Sequence, residues 1–389
     1  NLLIRIHVFM YLKDIIRGGI VMKLYMPTKV FFERACVREH GEELKALGTK
    51  AMIVTGRHSS RVNGSLADVE AALTQNGQSY VIFDGIEENP SVETVARAAQ
   101  AAVAAQVDFF VAIGGGSPMD ASKAISILCK HPETILEAEN YLYGSEPMDG
   151  YPVAAVPTTS GTGSEVTPYA ILTLHSKHTK QSIKQHLFAQ VAFVDAGYLH
   201  TSSYANMVST CVDALAHLIE SYLNTNANEL NRMYSAEGLR VWGSVKDALL
   251  PQVATAADGS MTLADETFDA FMRASVIAGI AITHTGTSIP HGLSYPVTYE
   301  MGVSHGKAVG YFLPGFLRAY ENREDVGRIM ELLGFTDQDA FCAYLEQLIG
   351  QPQIDADLWE HDVELLMSNP AKLKNYPYAM TADILRNFI

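Results

Sequence analysis

The chain has 389 residues, of which 48% are hydrophobic and 18% charged. That composition is typical of a folded globular protein, and the length exceeds what one ordinary core needs, so two domains are expected. The formal net charge of -15 repels polyphosphate backbones and argues against nucleic acid as a partner. The four cysteines lie far apart and form no C-x-x-C pair, which predicts a protein without disulfides in the cytoplasm.

The first residues, Asn1–Met22, contain apolar runs that charged side chains interrupt. No stretch reaches the ~20 apolar residues that a spanning helix needs, so we predict no membrane partner. The tripeptide Arg17-Gly18-Gly19 before Met22 resembles a translated ribosome-binding site. Residues 1–21 are therefore expected to be a non-native or disordered extension.

The segment 22–198 alternates short β-rich runs with helical patterns, which predicts a mostly parallel sheet covered by helices. The predicted strands are Ala51–Thr55, Tyr80–Phe83, Phe109–Ile113, Val153–Val156 and Val191–Val194. Residues 199–389 have a helical pattern throughout. The predicted fold is an α/β Rossmann-like nucleotide-binding domain over 22–198, followed by an all-α domain over 199–389 that holds a metal. The cleft between them is the expected site.

A glycine-rich turn joins a predicted strand to a helix within Asp108–Lys123, which reads DFFVAIGGGSPMDASK. Gly114, Gly115 and Gly116 leave backbone N–H groups accessible, and the helix that begins near Ser117 adds free N–H donors. Such a turn fits the pyrophosphate of a dinucleotide, although a tight structural turn would also use glycine.

A second loop, Pro157–Thr167, follows the strand VAAV and is rich in hydroxyl groups. We assign Thr158, Thr159, Ser160 and Thr162 to cofactor binding. The alternative, a polar surface turn, does not require so many small residues directly after a buried strand.

The residues after the first strong strand indicate which nicotinamide cofactor is used. NAD-specific sites place an acidic side chain there to bind the ribose 2′-hydroxyl. This chain has Gly56, followed by Arg57, Ser59 and Ser60, which are suited to a 2′-phosphate. NADP(H) is therefore predicted in preference to NAD(H).

A metal site is predicted from one carboxylate and three histidines. Asp213 and His217 are four residues apart in a helical pattern and so share one face. His291 and His305 are each followed by glycine. One carboxylate with three imidazoles suits Fe²⁺ or Zn²⁺. Taken singly, a D-x-x-x-H pair is more often a surface feature and an H-G dipeptide a turn.

The motifs GGGSPMDASK, PTTSGTGSEVT, DALAHLIES and the two H-G pairs, in this order, resemble the iron-containing (group III) alcohol dehydrogenases. The resemblance is greatest to the NADP-dependent butanol and propanediol dehydrogenase branch. It implies a dehydroquinate-synthase-like fold, a homodimer or larger oligomer, and Asp213, His217, His291 and His305 as metal ligands. We also assign Asp120 and Lys180 to cofactor binding.

The chain departs from the family pattern at two positions. Many relatives have H-G-x-x-H at the first H-G histidine, whereas this chain has Tyr295 at the second histidine position. The proton route attributed to that histidine then passes to Tyr295, ordered water or the cofactor ribose. Ser203 replaces a usual proline, which is expected to change a loop only.

The reaction predicted from these motifs is metal-dependent hydride transfer between NADP(H) and a small aliphatic primary alcohol or aldehyde. Apolar and aromatic residues at Ile289, Tyr295 and Tyr299 favour a small aliphatic substrate, and no basic cluster for a phosphorylated substrate is evident. The alternatives are a glycerol dehydrogenase-like or dehydroquinate synthase-like enzyme of the same fold, and a non-catalytic NADP-binding protein. A metallohydrolase would leave both glycine loops unexplained.

Overall fold

A computed structural model of the chain describes residues 24–177, 179–257 and 260–389. The predicted extension over residues 1–21 lies outside the described residues. None of the described helices has both the length and the apolar character needed to cross a bilayer.

A parallel sheet forms the centre of the first half of the chain. The strands of the described residues are Lys29–Phe32 (β1), Lys50–Thr55 (β2), Ser79–Phe83 (β3), Phe109–Gly114 (β4), Val153–Pro157 (β5), Ile171–Leu174 (β6), Thr179–Ser182 (β7) and Val191–Val194 (β8). Six of them form one sheet in the order β1-β8-β5-β4-β2-β3, with all neighbours parallel. The five predicted strands are confirmed. The short strand β1 and the antiparallel β6–β7 pair were not predicted.

Helices cover the sheet and make up the second half of the chain. The earlier α-helices are Cys36–His40 (α1), Ser59–Val62 (α2), Ser65–Gln75 (α3), Val92–Ala105 (α4), Gly116–Lys130 (α5) and Ala138–Leu142 (α6). The later ones are Tyr204–Tyr222 (α7), Glu229–Val245 (α8), Pro251–Ala254 (α9), Asp265–Thr285 (α10), Ile289–Met301 (α11), His305–Gly310 (α12), Leu313–Ala319 (α13), Arg323–Leu333 (α14), Gln338–Ile349 (α15), Ala356–Met367 (α16), Pro370–Leu373 (α17) and Ala382–Arg386 (α18). Short 3₁₀ turns cover Gly41–Ala46, Pro132–Glu137, Ser164–Val166, His175–Lys177, Ala196–Leu199 and Lys246–Leu249.

The predicted fold class, an α/β part followed by a helical part, is confirmed. The exact division at residues 198 and 199 stays a prediction. Ser203, which replaces the proline of the family pattern, caps α7, because its hydroxyl accepts a hydrogen bond from the Asn206 N–H at 3.3 Å. Serine in place of proline at position 203 therefore changes how α7 begins.

The strand order creates a crevice at one edge of the sheet. From β2 the chain moves outward to β3 and then returns to place β4 on the other side of β2. The loops after β2 and β4 consequently diverge, and ligands of open α/β sheets bind where connections diverge in this way. Gly56 follows β2 and Gly115 follows β4, so both lie at this crevice.

Helix α12 packs against α7 without space for a side chain at Gly306. A Cβ atom on Gly306 would lie 1.8 Å from the Ser209 carbonyl oxygen and 3.0 Å from the Asp213 Cβ. Glycine at this position therefore brings α12, with His305 at its start, into contact with the helix that carries Asp213.

We expect Gly306→Ala to lower the free energy of unfolding by about 1–3 kcal/mol, because the added methyl group overpacks the contact between α7 and α12. The matched control is Gly327→Ala, an exposed position of α14 with no atom within 4 Å of the added Cβ. That change is expected to raise the free energy by about 0.5–1 kcal/mol. Urea unfolding of both variants measures the difference, and equal effects of the two changes would contradict the packing explanation.

Candidate metal centre and nucleotide cleft

A cleft of about 1860 Å³ lies between the crevice of the sheet and the helical half. It is larger than the ~300–1,000 Å³ of an ordinary small-ligand pocket. Most residues that the sequence assigned to the site line it: Gly56, Ser59, Gly114, Gly115, Gly116, Ser117, Asp120, Thr158, Thr159, Thr162, Lys180, Asp213, His217, His291, Tyr295 and His305. One cleft thus contains both the predicted cofactor loops and the predicted metal ligands.

Three of the assigned cofactor residues are not on the cleft wall. Ser60 is fully buried, and its hydroxyl accepts a hydrogen bond from the Thr55 hydroxyl at 2.9 Å. The Ser160 hydroxyl is also buried and lies 3.5 Å from the Cys211 sulfur. Arg57 is exposed and stands beside the cleft. A run of hydroxyl residues predicts a polar loop, but it does not show which members face the ligand.

The two cofactor loops pack directly against each other. A Cβ on Gly115 would lie 3.0 Å from the Thr159 side chain, and a Cβ on Gly116 would lie 2.9 Å from Thr162 Cγ2. Gly114 has φ +148°, a conformation that favours glycine. The glycines therefore allow the loops to interlock as well as exposing backbone N–H groups at the start of α5.

A buried lysine fixes the second loop against α5. Lys123 Nζ donates to the Ser164 carbonyl oxygen and hydroxyl, both at 2.8 Å, and to the Tyr169 carbonyl oxygen at 2.7 Å. Burial lowers the pKa of Lys123 to about 8, against the opposing charges of Asp120 and Glu165. Asp120 accepts from the Ser164 hydroxyl and from the Ile171 N–H. Asp120, which we assigned to the cofactor, therefore lies on the wall with both oxygens already hydrogen-bonded.

One hydroxyl of the second loop is available to a ligand. Thr159 Oγ1 is buried and has no hydrogen-bond partner among the described residues. A buried polar atom without a partner is costly unless a ligand or water supplies one. The loop geometry thus fits the cofactor that the sequence predicts.

The four predicted metal ligands meet at one point of the cleft. The nearest Asp213 oxygen, Oδ1, lies 3.3 Å from His291 Nε2, 3.7 Å from His305 Nε2 and 3.8 Å from His217 Nε2. Ligand atoms at ~2.1 Å from one ion and at tetrahedral angles are separated by about 3.4 Å. Asp213, His291 and His305 have ligand atoms within 4.8 Å of one another. His217 lies outside that group of three, but its Nε2 is 3.8 Å from Asp213 Oδ1 and its ring stacks on that of His291 at 4.4 Å. The residues present therefore fit a divalent metal ion.

Two groups behind the ligands orient the imidazole rings. His291 Nδ1 donates to the buried Glu220 carboxylate, which also accepts from the Ser288 N–H. His217 Nδ1 lies 3.3 Å from the Gly161 carbonyl oxygen. Each contact favours a proton on Nδ1 and turns Nε2 towards Asp213, where a metal ion would lie. Glu220 was not predicted from the sequence, although it lies seven residues after Asp213 on the same face of α7.

The charges of the site suit a metal ion. Burial would raise the pKa of Asp213, but the three imidazoles hold it far below its usual range. Burial lowers the pKa of His217 to about 4 and keeps that of His305 well below its ordinary value. Burial also opposes protonation of His291, but Glu220 and Asp213 together raise its pKa to about 9. At neutral pH Asp213 is therefore charged and His217 and His305 are neutral, whereas His291 carries a proton that a bound metal ion would displace.

Tyr295 lies between the metal ligands and two lysines. Its ring stacks on that of His305 at 5.8 Å. Lys180 Nζ lies 5.6 Å from the centre of the Tyr295 ring, and Lys372 Nζ lies 5.5 Å from it. Lys180 also donates to the Asn89 side-chain oxygen at 3.0 Å. Lys180 was predicted from the sequence to bind the cofactor, whereas Lys372, which belongs to no motif, was not.

The expected apolar lining is only partly correct. Of the three residues that favoured an apolar substrate pocket, Tyr295 lines the cleft, whereas Ile289 is fully buried in the core. Tyr299 is not on the wall either. The helical period accounts for Ile289, which is two residues before His291 and so lies on another face of α11, whereas Tyr295 is one turn after His291 and shares its face. Tyr299 lies one turn farther along the helix than Tyr295.

Both halves of the chain match known proteins. Residues 27–196 match the family model described as iron-containing alcohol dehydrogenase, and residues 207–369 match the C-terminal model of the same family. The lactaldehyde reductase of Escherichia coli (strain K12) is 29% identical over 339 residues, which are 84% of this chain and 85% of that protein. The NADPH-dependent butanol dehydrogenase of Clostridium saccharobutylicum is 26% identical over 354 residues, 88% of this chain and 87% of that protein.

A solved structure agrees with these matches. The iron-containing alcohol dehydrogenase from Thermotoga maritima is 34% identical to this chain, with a TM-score of 0.84, and the alignment covers 95% of this chain and 98% of that one. The two family segments together span most of the described residues, and the predicted metal ligands and cofactor loops fall within them. The chain therefore belongs to the iron-containing alcohol dehydrogenase family and is an alcohol dehydrogenase.

Proposed function

We propose that this alcohol dehydrogenase transfers hydride reversibly between NADP(H) and a small aliphatic primary alcohol or aldehyde, with Fe²⁺ as its metal and Zn²⁺ as the alternative. The observation that carries the proposal is the buried Asp213 carboxylate with three imidazole nitrogens within 3.8 Å, at the end of a cleft that also contains two glycine loops. The dinucleotide and the metal would thereby meet at one point.

The metal would be held by Asp213, His217, His291 and His305. When bound, a divalent ion supplies Lewis acidity toward an alcohol or carbonyl oxygen. The chain supplies the orientation of the ligands, because Glu220 and the Gly161 carbonyl fix the His291 and His217 rings. Nicotinamide supplies the redox chemistry, and the interlocked loops would position it.

Tyr295 is the chain's candidate for contact with the substrate oxygen. Burial and the charges of Glu220 and Asp213 raise the pKa of Tyr295, so its hydroxyl keeps its proton at neutral pH. We infer that Tyr295 acts as a hydrogen-bond donor where many relatives have a histidine. Proton exchange with solvent would then use ordered water or the cofactor ribose.

The preference for NADP(H) is supported by the end of β2. Gly56 lies at the crevice where an acidic side chain would select NAD, and Ser59 lines the cleft beside the exposed Arg57. The Clostridium relative is named as NADPH-dependent. Lys180 and Thr159 would contact the nicotinamide half of the cofactor.

We also infer a homodimer or larger oligomer and a cytoplasmic location. The family resemblance supports the first. The second is supported by the cysteines, all of which are free in the structure.

The proposed function is tested with the metal-stripped protein. Anaerobic loading with Fe²⁺ is expected to restore reduction of butanal by NADPH, and loading with Zn²⁺ tests the alternative metal. His305→Ala is expected to lower turnover by at least about 10³-fold and to lose the metal, since it removes a ligand. His305 is suitable because its Nδ1 has no hydrogen-bond partner among the described residues, so the change breaks no hydrogen bond at that nitrogen. Undiminished turnover after stripping, or no turnover of any C2–C6 aldehyde, would refute the proposal.

Glu220→Gln tests the orientation of His291. A glutamine has one acceptor oxygen, so it can satisfy either His291 Nδ1–H or the Ser288 N–H but not both. We expect the metal affinity to fall by about 10–100-fold, measured by competition with a chelator. The control is Glu237→Gln, which removes the same charge from the surface pairs with Arg240 and Arg273. Equal affinities in the two variants would show that Glu220 does not position the ligand.

Arg57→Ala tests the assignment of the 2′-phosphate. A charge-assisted hydrogen bond contributes ~1.5–3 kcal/mol, so the KM for NADPH is expected to rise by about 10-fold or more. The KM for NADH should change little. Kinetics with both cofactors and one aldehyde measure the two values. A parallel rise for NADPH and NADH would assign Arg57 to something other than the phosphate.

A further inference from the structure

Lys372 is held against the helix that carries a metal ligand. A Cβ on Gly292, the residue after His291, would lie 3.4 Å from Lys372 Cβ and 3.3 Å from its Cγ. The stem of the lysine therefore packs on α11. Its Nζ donates to the Thr287 hydroxyl and lies 5.5 Å from the centre of the Tyr295 ring. Lys372 and Thr287 both line the cleft.

The charge of Lys372 is not balanced by an ion pair. Among the described residues, no carboxylate oxygen lies within 4.0 Å of its Nζ. Glu220 attracts it from farther away, but the oxygens of that carboxylate already accept from His291 and Ser288. Burial lowers the pKa of Lys372 to about 8. A largely buried cation whose partners are one hydroxyl and one ring face is costly, and an anion bound in the cleft would offset that cost.

The position of Lys372 separates it from the cofactor loops. It lies on α17 and contacts Thr287, Gly292 and Tyr295, all in the helical half of the chain, whereas the glycine loops follow strands β4 and β5. Tyr295, whose ring it faces, follows His291 by one helical turn, or ~5.4 Å along the helix. A short aliphatic chain is long enough to connect an oxygen at the metal ligands with a group at Lys372.

We propose that Lys372 and Thr287 form a subsite for a carboxylate on the substrate, so that the preferred substrate is a short aliphatic aldehyde or alcohol with a carboxylate at the end remote from the reacting carbon. This inference rests on the proposed function. One cation with one adjacent hydroxyl matches the single charge and two oxygens of a carboxylate, whereas a dianionic phosphate calls for more donors. In the reduction, the carbonyl carbon takes hydride from NADPH, its oxygen takes a proton, NADP⁺ is released, and the carboxylate is unchanged.

The test compares three aldehydes with the Fe²⁺-loaded enzyme and NADPH: 4-oxobutanoate, its methyl ester, and butanal. The wild-type kcat/KM for 4-oxobutanoate is expected to exceed that for the methyl ester by about 10-fold or more, the size of a charge-assisted contact. Lys372→Met is expected to remove most of this preference, chiefly through KM, and Lys372→Arg should restore part of it. Lys130→Met, which removes the same charge outside the cleft, is the control and should retain the wild-type preference.

Failure of the carboxylate subsite and failure of the proposed function give different results. If the wild type reduces butanal without preferring 4-oxobutanoate, or if Lys372→Met keeps the preference, the carboxylate subsite is refuted and the proposed function stands. A rise in the KM for NADPH of Lys372→Met, with the preference unchanged, would assign the lysine to the cofactor and overturn the inference. Absence of turnover with every aldehyde would refute the proposed function and, with it, the subsite.

If a Lys372 variant does not fold, ligand binding to the wild-type protein tests the subsite without turnover. The Tm of the metal-free wild-type protein with NADP⁺ is compared in 4-hydroxybutanoate and in 1,4-butanediol, which has a neutral hydroxyl in place of the carboxylate. A rise with 4-hydroxybutanoate alone supports the subsite. Equal Tm values in the two ligands would overturn it.

Discussion

The buried carboxylate of Asp213 is the group on which the site depends. A charge in the interior is tolerated only when opposite charges or donors surround it. Here the protonated His291 lies 3.3 Å from Asp213 Oδ1, and a metal cation held together with His217 and His305 would complete the balance. The helices that carry these residues meet closely because Gly306 leaves no side chain between α12 and α7. The glycine after His305, read from the sequence as part of a motif, is a packing requirement that brings the ligand to the carboxylate.

On the predicted cofactor side of the cleft, two loops pack against each other and hold each other in place. Gly115 and Gly116 contact Thr159 and Thr162, and Lys123 ties the second loop to α5 by three hydrogen bonds. Each loop thus restricts the shape of the other. The geometry proposed to bind phosphate is therefore a property of the pair, and a single glycine motif describes only half of it.

The parts of the molecule that could be predicted are those marked by a local pattern in the sequence. Buried parallel strands are continuous apolar runs, and Asp213 and His217 are one helical turn apart, so both were found. Glu220 shares their helix face but was missed, because most helix carboxylates are solvated. No sequence pattern marks Lys372, because its contacts with Thr287 and Tyr295 depend on how helices far apart in the sequence pack together. The inward orientation of Ser60 and Ser160 is likewise set by tertiary packing and not by spacing.

The four candidate metal ligands are not equivalent in how firmly the protein holds them. Glu220 fixes His291 and the Gly161 carbonyl fixes His217, whereas His305 Nδ1 has no partner in the described part of the chain and its side chain is 26% exposed. His305 would consequently rotate away with the least loss of hydrogen bonds. Exchange of a bound ion with solvent, and attack on it by chelators or oxidants, would begin at that corner of the site, so the least supported imidazole would govern the lifetime of the loaded enzyme.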